Sequence, residues 1–210
     1  SIFVYTHDSV FLGEDGPTHQ SVEQLFSLRL IPNMTLFRPS DPPEVAMAWA
    51  WAVGSKHDGP TIIVLTRQKL DPIPRGSGFD PHEIWRGAYV LDNYREGDIT
   101  MIATGSETSL AVKSADLLRN DGVRARVVSA PSLDLFDRQD ASYQDQVLGD
   151  RSRVVAIEAG RSSGWYKYVN HDALVIGIDR FGASAPYEQI AEHFGFTPQK
   201  VAARIREWKR

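Results

Sequence analysis

The sequence predicts an α/β protein: two units with parallel or mostly parallel sheets flanked by helices, the first truncated on its N-terminal side. Three observations carry this. Short β-prone runs alternate with helical patterns through most of the 210 residues, and such alternation means parallel strands joined by right-handed crossovers. The run Thr61-Ile62-Ile63-Val64-Leu65-Thr66 is apolar without interruption, as in strands covered on both faces. A stretch rich in proline and glycine, residues 68–92, divides the alternation into two blocks.

The first block opens with Ile2-Phe3-Val4-Tyr5, a short β-prone run, followed by the polar stretch THDSVFLGEDGPTHQ. Ser21 and Gln24 fit a capping box for a helix with Val22, Leu25 and Phe26 on one face. Met34–Phe37 reads as a second strand, stopped by Arg38-Pro39. Asp41 then fits an N-cap with Pro42 at the first helical position, and Val45, Ala48, Trp49 and Ala52 form the expected buried stripe. The third strand is 61–66. Three strands and two helices cannot keep a parallel sheet dry on both faces. Further strands are therefore expected before Ser1 or from a partner chain.

Pro72, Pro74, Gly76, Gly78 and Pro81 mark the 68–92 stretch as a linker or crossing loop. In the second block, strands are expected at 99–104, 124–129, 152–157 and 173–178. Helices are expected near 107–120, 140–148 and 163–170, the first stopped by Gly122. Two helices end the chain. Pro186 opens one and Gly195 closes it; Thr197-Pro198 caps the other, whose Val201, Ala202, Ile205 and Trp208 make a stripe.

Composition narrows the function classes. A net charge of -4 leaves no electrostatic footprint for a polyanion. The absence of cysteine removes disulfides, thiolate metal sites and a cysteine nucleophile. No apolar run has the roughly 18 residues of a membrane helix, and the opening lacks the basic start of a signal peptide. A cytoplasmic enzyme or binding module without nucleic-acid or membrane partners is the expectation.

In open α/β sheets ligands bind beyond the carboxyl ends of the strands. In the first unit those ends carry His7, Arg38 and Arg67. Imidazole and guanidinium together suit a phosphate or carboxylate, because the guanidinium fork donates two parallel hydrogen bonds. Singly, each is also what an ordinary surface strand end carries. The polar stretch adds Asp8, Glu14, Asp15 and His19, with Gly13, Gly16 and Pro17 shaping its turns. Three readings fit it: a metal site, a solvated turn, or a substrate-facing loop in which Asp15 and His19 bind hydroxyls and move protons. The His7–His19 spacing matches neither a helical pair nor a zinc pattern. In the second unit, ATGSETS reads either as an anion site at a helix start or as an N-cap at Ser106. Glu158 suits a capping or interface role. Trp165, Tyr166 and Tyr168 suit core or subunit contact.

THDS followed by GEDGPTHQ, then RPSD before a helix and TRQ after an apolar strand, resembles transketolase. The likeness continues through ATGSETSLAV, RVVSAPSLDLFD, VVAIEAG, GWYKYV and FGASAP, and so covers essentially the whole chain. It implies that residues 1–78 are part of a pyrimidine-binding domain, 79–97 a linker and 98–210 the transketolase C-terminal domain. It implies transfer of a two-carbon ketol unit from a ketose phosphate to an aldose phosphate, with thiamine diphosphate and Mg2+ or Ca2+ in the full-length enzyme. Carried over by position, His7 and Arg67 hold the sugar phosphate, and Asp15 reads a hydroxyl near the reacting carbon. His19 lies near the reacting carbonyl and is the catalytic candidate; Arg38 matches no known role. The GDG motif that holds cofactor diphosphate and metal is absent, so no cofactor or metal ligand is assigned here. The expectation is a fragment, inactive alone, that works as a homodimer or with a missing N-terminal portion, in pentose-phosphate metabolism. A non-catalytic sugar-phosphate or assembly module and a dihydroxyacetone synthase are the alternatives.

Overall fold

The computed structural model describes residues 1–54 and 58–209. Its first sheet contains β1 (Ile2–Tyr5), β2 (Thr35–Phe37) and β3 (Thr61–Val64), all parallel in the order β1-β3-β2. β3 is central and buried throughout, as its uninterrupted apolar run requires. β1 forms an open edge, with Phe3 44% and Tyr5 46% exposed.

Helix α1 (Gln24–Arg29) starts later than the capping box predicts. Ser21 Oγ instead donates to the His7 carbonyl at 2.7 Å, and Gln24 Oε1 accepts from Val22 N at 2.9 Å. Those side chains tie down the preceding loop. Helix α2 (Pro42–Val53) begins as expected: Asp41 accepts from Glu44 N, and Pro42 opens the first turn. Its buried face is rotated, however. Glu44 and Ala48 are buried while Trp49 is 40% exposed, because Glu44 is drawn inward by Ser129, Tyr89 and Arg75. Trp51, not Trp49, then packs with Ala48 on Phe37 and Ile63.

The second sheet runs β4-β6-β5-β7-β8, comprising β4 (Tyr89–Val90), β5 (Ile99–Ala103), β6 (Ala125–Ser129), β7 (Val154–Ile157) and β8 (Leu174–Ile176). Only the pairing of β4 with β6 is antiparallel. β4 and a 3-10 turn at Pro81–Arg86 lie within the stretch expected to be a loop; a two-residue strand shows no alternation to read. Around the sheet lie α3 (Glu107–Asn120), α4 (Leu133–Asp137), α5 (Ala141–Leu148), α6 (Tyr187–Phe194) and α7 (Pro198–Trp208). The helix expected near 163–170 is a 3-10 segment, Ser162–Lys167.

Gly122 ends α3 at φ 76°, and Val123 N donates back to the Leu118 carbonyl at 3.0 Å. Only a residue tolerant of positive φ closes the helix this way. Gly195 does the same for α6 in the left-handed region. On α7, Val201, Ala202 and Ile205 are fully buried and pack in the core with Ala111, Ala115 and Leu118 of α3. The same core takes in Val10, Phe11 and Val22 from the first unit, so the two units share part of their interior, while Leu36, Ile62 and Val64 of the first sheet pack in a cluster of their own.

Candidate functional site

The polar loop after β1 is built on two buried residues. Val10 and Phe11 sit in a 3-10 turn that starts when Ser9 Oγ accepts from Phe11 N. Phe11 meets Phe196 edge-to-face at 5.5 Å. Beyond this anchor, Gly13 (φ 98°) and Gly16 (φ 79°) reverse the chain, and Pro17–His19 forms a second 3-10 turn. Glu14, Asp15 and His19 are thereby left exposed.

The reversal returns His19 to the end of β1. The His7 and His19 rings lie 6.2 Å apart. Each ring shares a hydrogen bond of 3.1 Å with the threonine before it, Thr6 or Thr18. Both histidines line a hollow of about 280 Å3 with Gln20, Ser21 and Gln24. A wider groove of about 710 Å3 adjoins it along the open edge of β1, and His7, Ser21 and Gln24 line both. Leu65 N donates to the Tyr5 carbonyl at 2.7 Å, so β1 and β3 stay paired to the point where His7 and Arg67 follow. Arg67 is exposed, and its guanidinium has no ion-pair partner among the described residues. Among those residues, no group of three or more histidine or carboxylate side chains is placed to hold a metal ion.

Arg38 departs from the expected three-residue rim. Its side chain is 0% exposed. Nε and Nη2 donate to Asp8 Oδ2 at 3.1 and 2.7 Å, and Nη1 donates to Thr104 O and Oγ1 at 2.9 and 2.8 Å and to Glu107. A Cβ at Gly105 would stand 2.8 Å from the Arg38 Cζ, so the glycine of ATGSETS makes room for the guanidinium. The residue turns inward because Asp8 and Glu107, buried beside it, have no other ion-pair partner among the described residues.

The cluster continues. Thr104 Oγ1 donates to Glu158 Oε1 at 2.6 Å, Arg29 grips both Glu158 oxygens at 2.7 and 2.9 Å, and Trp165 Nε1 donates to Glu158 at 3.2 Å. Burial alone would raise the Glu158 carboxyl, but Arg29, its hydrogen bonds and Arg38 pull it down to about 2. Burial wins at Glu107, whose carboxyl is pushed up despite Arg38. Arg38 itself is held more firmly protonated, because Glu107 and Asp8 outweigh the cost of burying it. Glu158 is therefore an interface residue between α1 and the second sheet. A second cluster, in which Arg75 bonds Asp41 and Tyr89 while Glu44 accepts from Tyr89 and Ser129, joins α2 to β4 and β6.

Ser106 does not act as a side-chain N-cap. Its hydroxyl donates to Glu107 Oε1 at 2.6 Å. Trp165 and Tyr168 are core residues packed with Phe136, while Tyr166 is exposed. Sequence reasoning missed Arg29, Thr104, Glu107 and Gln20. Only the glycine after Thr104 hints at a close approach there.

A model described as the pyrimidine-binding domain of transketolase matches residues 1–72, and one described as the transketolase-like C-terminal domain matches residues 87–197. The chain is 48% identical over 208 residues to a transketolase of Aquifex aeolicus, covering 98% of this chain and 30% of that protein. Transketolase 2 of Pasteurella multocida is 49% identical over 212 residues, or 99% of this chain and 31% of that one. Among solved structures, the H261F transketolase variant of Pichia stipitis superposes with a TM-score of 0.88 at 40% identity, covering 98% of this chain and 29% of that one. A structure described as a split-gene transketolase, an inactive beta4 tetramer, superposes with a TM-score of 0.69 at 26% identity, covering 98% of this chain and 65% of that one. The chain thus spans about 30% of the length of the curated relatives it matches.

Proposed function

This chain belongs to the transketolase family, and from that premise we propose that its first unit supplies the sugar-phosphate half of a ketol-transfer site. In this reading His7 and Arg67 hold the phosphate, Asp15 reads a hydroxyl, and His19 hydrogen-bonds the reacting carbonyl or its neighbouring hydroxyl and moves a proton there. The observation that carries it is the approach of His7 and His19 to 6.2 Å at the carboxyl end of β1. The exposed Asp15 lies in the same loop, and Arg67 follows the adjacent parallel strand. Relatives support the substrate class: Pichia stipitis transketolase structures are described as complexes with sedoheptulose-7-phosphate and fructose-6-phosphate.

Thiamine diphosphate with Mg2+ or Ca2+ belongs to the family's chemistry, but the residues here do not fit its diphosphate and metal. The sequence has no GDG, and the described residues offer no metal-holding cluster. We assign those ligands to other segments of the working enzyme and derive no step through them. The chain alone is accordingly inactive and works in association, with residues 1–78 and 98–210 as its two domains and 79–97 between them. The open apolar edge of β1 and the inactive split-gene relative support that. Cytoplasmic pentose-phosphate metabolism is the setting this reading implies.

Titrating D-xylulose 5-phosphate into the chain and its Arg67→Ala variant tests the assignment. Losing a charged hydrogen-bond partner costs about 1.5–3 kcal/mol, a weakening of about 10- to 150-fold. Equal affinities would remove Arg67 from the site. Ketol transfer by the purified chain with cofactor added would refute its inactivity.

A further inference from the structure

The loop that presents Asp15 and His19 is held from the second unit. Gln20, which follows His19, is buried, and both ends of its amide are engaged. Nε2 donates to Gly13 O at 2.9 Å and to Ala183 O at 2.8 Å, while Oε1 accepts from Ala183 N at 3.0 Å. The bond to Gly13 closes residues 13–20 into a ring. The pair to Ala183 fastens that ring to the segment between β8 and α6. Ser184 Oγ adds a bond to the Glu14 carbonyl at 2.6 Å, beside Asp15, and its Cβ stands 3.3 Å from where a Cβ on Gly16 would lie. The facing glycine is equally constrained: a Cβ at Gly182 would land on the Gln20 amide oxygen. Gly182 thus exists for close approach, since its φ lies outside the left-handed region.

We propose that residues 182–184 of the second unit, through Gln20, clamp the Asp15–His19 loop and so set the hydroxyl selectivity of the site; Gln20 is a positioning residue. The clamp acts on one half of the rim only. Asp15 and His19 ride on the clamped ring, whereas the His7 and Arg67 side chains follow their own strands, β1 and β3, with the His7 carbonyl held by Ser21, outside the 13–20 ring. Loosening the clamp should therefore leave the anion grip in place and blur the reading of hydroxyl configuration. The inference rests on the proposed sugar-phosphate rim and gives the second unit a part in it.

The test uses the full chain, with D-xylulose 5-phosphate, its C3 epimer D-ribulose 5-phosphate and inorganic phosphate as probes. Gln20→Glu keeps the shape but turns Nε2 into an acceptor facing two carbonyls. The expected result is a loss of about tenfold in the preference between epimers, the scale of a lost buried hydrogen-bond set, with phosphate affinity unchanged. Ser184→Ala, at an exposed bond, should shift the preference the same way and covers the case in which Gln20→Glu fails to fold. Gly182→Ala should lower the melting temperature in the wild-type background and much less beside Gln20→Ala. Unaltered epimer preference in the variants, or a wild-type chain that binds both epimers equally, overturns the clamp and leaves the rim intact. A wild-type chain that binds neither the sugar phosphates nor phosphate overturns the rim itself, and the clamp's role with it.

Discussion

Replacing Glu158 by glutamine should make the stability of this protein less sensitive to acid, by an amount the structure sets. The Glu158 and Arg29 side chains are 3% and 8% exposed, so solvent screens their pairing little. The gap between an ordinary glutamate at 4.5 and about 2 in the fold corresponds to about 3 kcal/mol. The depressed folded value fixes the sign. This stabilisation is complete above pH 4.5 and is lost as pH falls toward 2, with about 2 kcal/mol of it gone by pH 3. At neutral pH, Glu158→Gln should cost about 3–5 kcal/mol, because it leaves the buried Arg29 guanidinium without its counter-charge. The gap between wild type and variant should then narrow by about 2 kcal/mol from pH 7 to pH 3. Glu44 and Glu107, whose carboxyls burial raises, titrate with the opposite sign but are present in both proteins and cancel in the difference. Urea unfolding at both pH values, followed by the near-UV signal to which Trp165 contributes beside Glu158, measures it. A gap that stays constant across this range would refute the assigned ion pair.

Arg38→Ala should unfold the chain or cost more than about 4 kcal/mol, since Asp8 and Glu107 would be left buried and unpaired; a soluble variant melting like wild type would contradict the cluster. Gly87→Ala should cost at least about 2 kcal/mol. The position has φ 88°, and its Cβ would meet Phe136 N and Ser132 O, so chemical denaturation should show a clear fall in midpoint. Asp15→Ala removes an exposed side chain and should leave stability within about 0.5 kcal/mol. It should weaken discrimination between epimeric ketose phosphates more than overall affinity, as paired titrations would show.

The parts of the fold that were readable are those where local pattern and burial agree. β3 is a continuous apolar run in the sequence, and both it and β5 are buried throughout. Asp41-Pro42 and Gly195 set helix ends through their own backbone chemistry. Failures arose where distant partners decide. Nothing near Arg38 reveals that it meets Thr104 and Glu107, or that Glu44 is turned inward by Ser129, so the buried face of α2 was misplaced. Gln24 and Ser21 had the composition of a cap, but the loop claimed them. For the site, the candidates His7, Asp15, His19 and Arg67 followed from strand ends, loop glycines and family resemblance. Gln20 did not, because its partner Ala183 lies 163 residues away.

The shared interior has a consequence for how this polypeptide can be divided. Val10 and Phe11 precede the whole first unit's helices, yet they pack with residues as late as Phe196 and Ile205. Neither half can therefore be produced alone without exposing a raw hydrophobic scar. A protease nick between Pro74 and Gly78 should leave two pieces that stay bound and melt together, each serving as the other's chaperone.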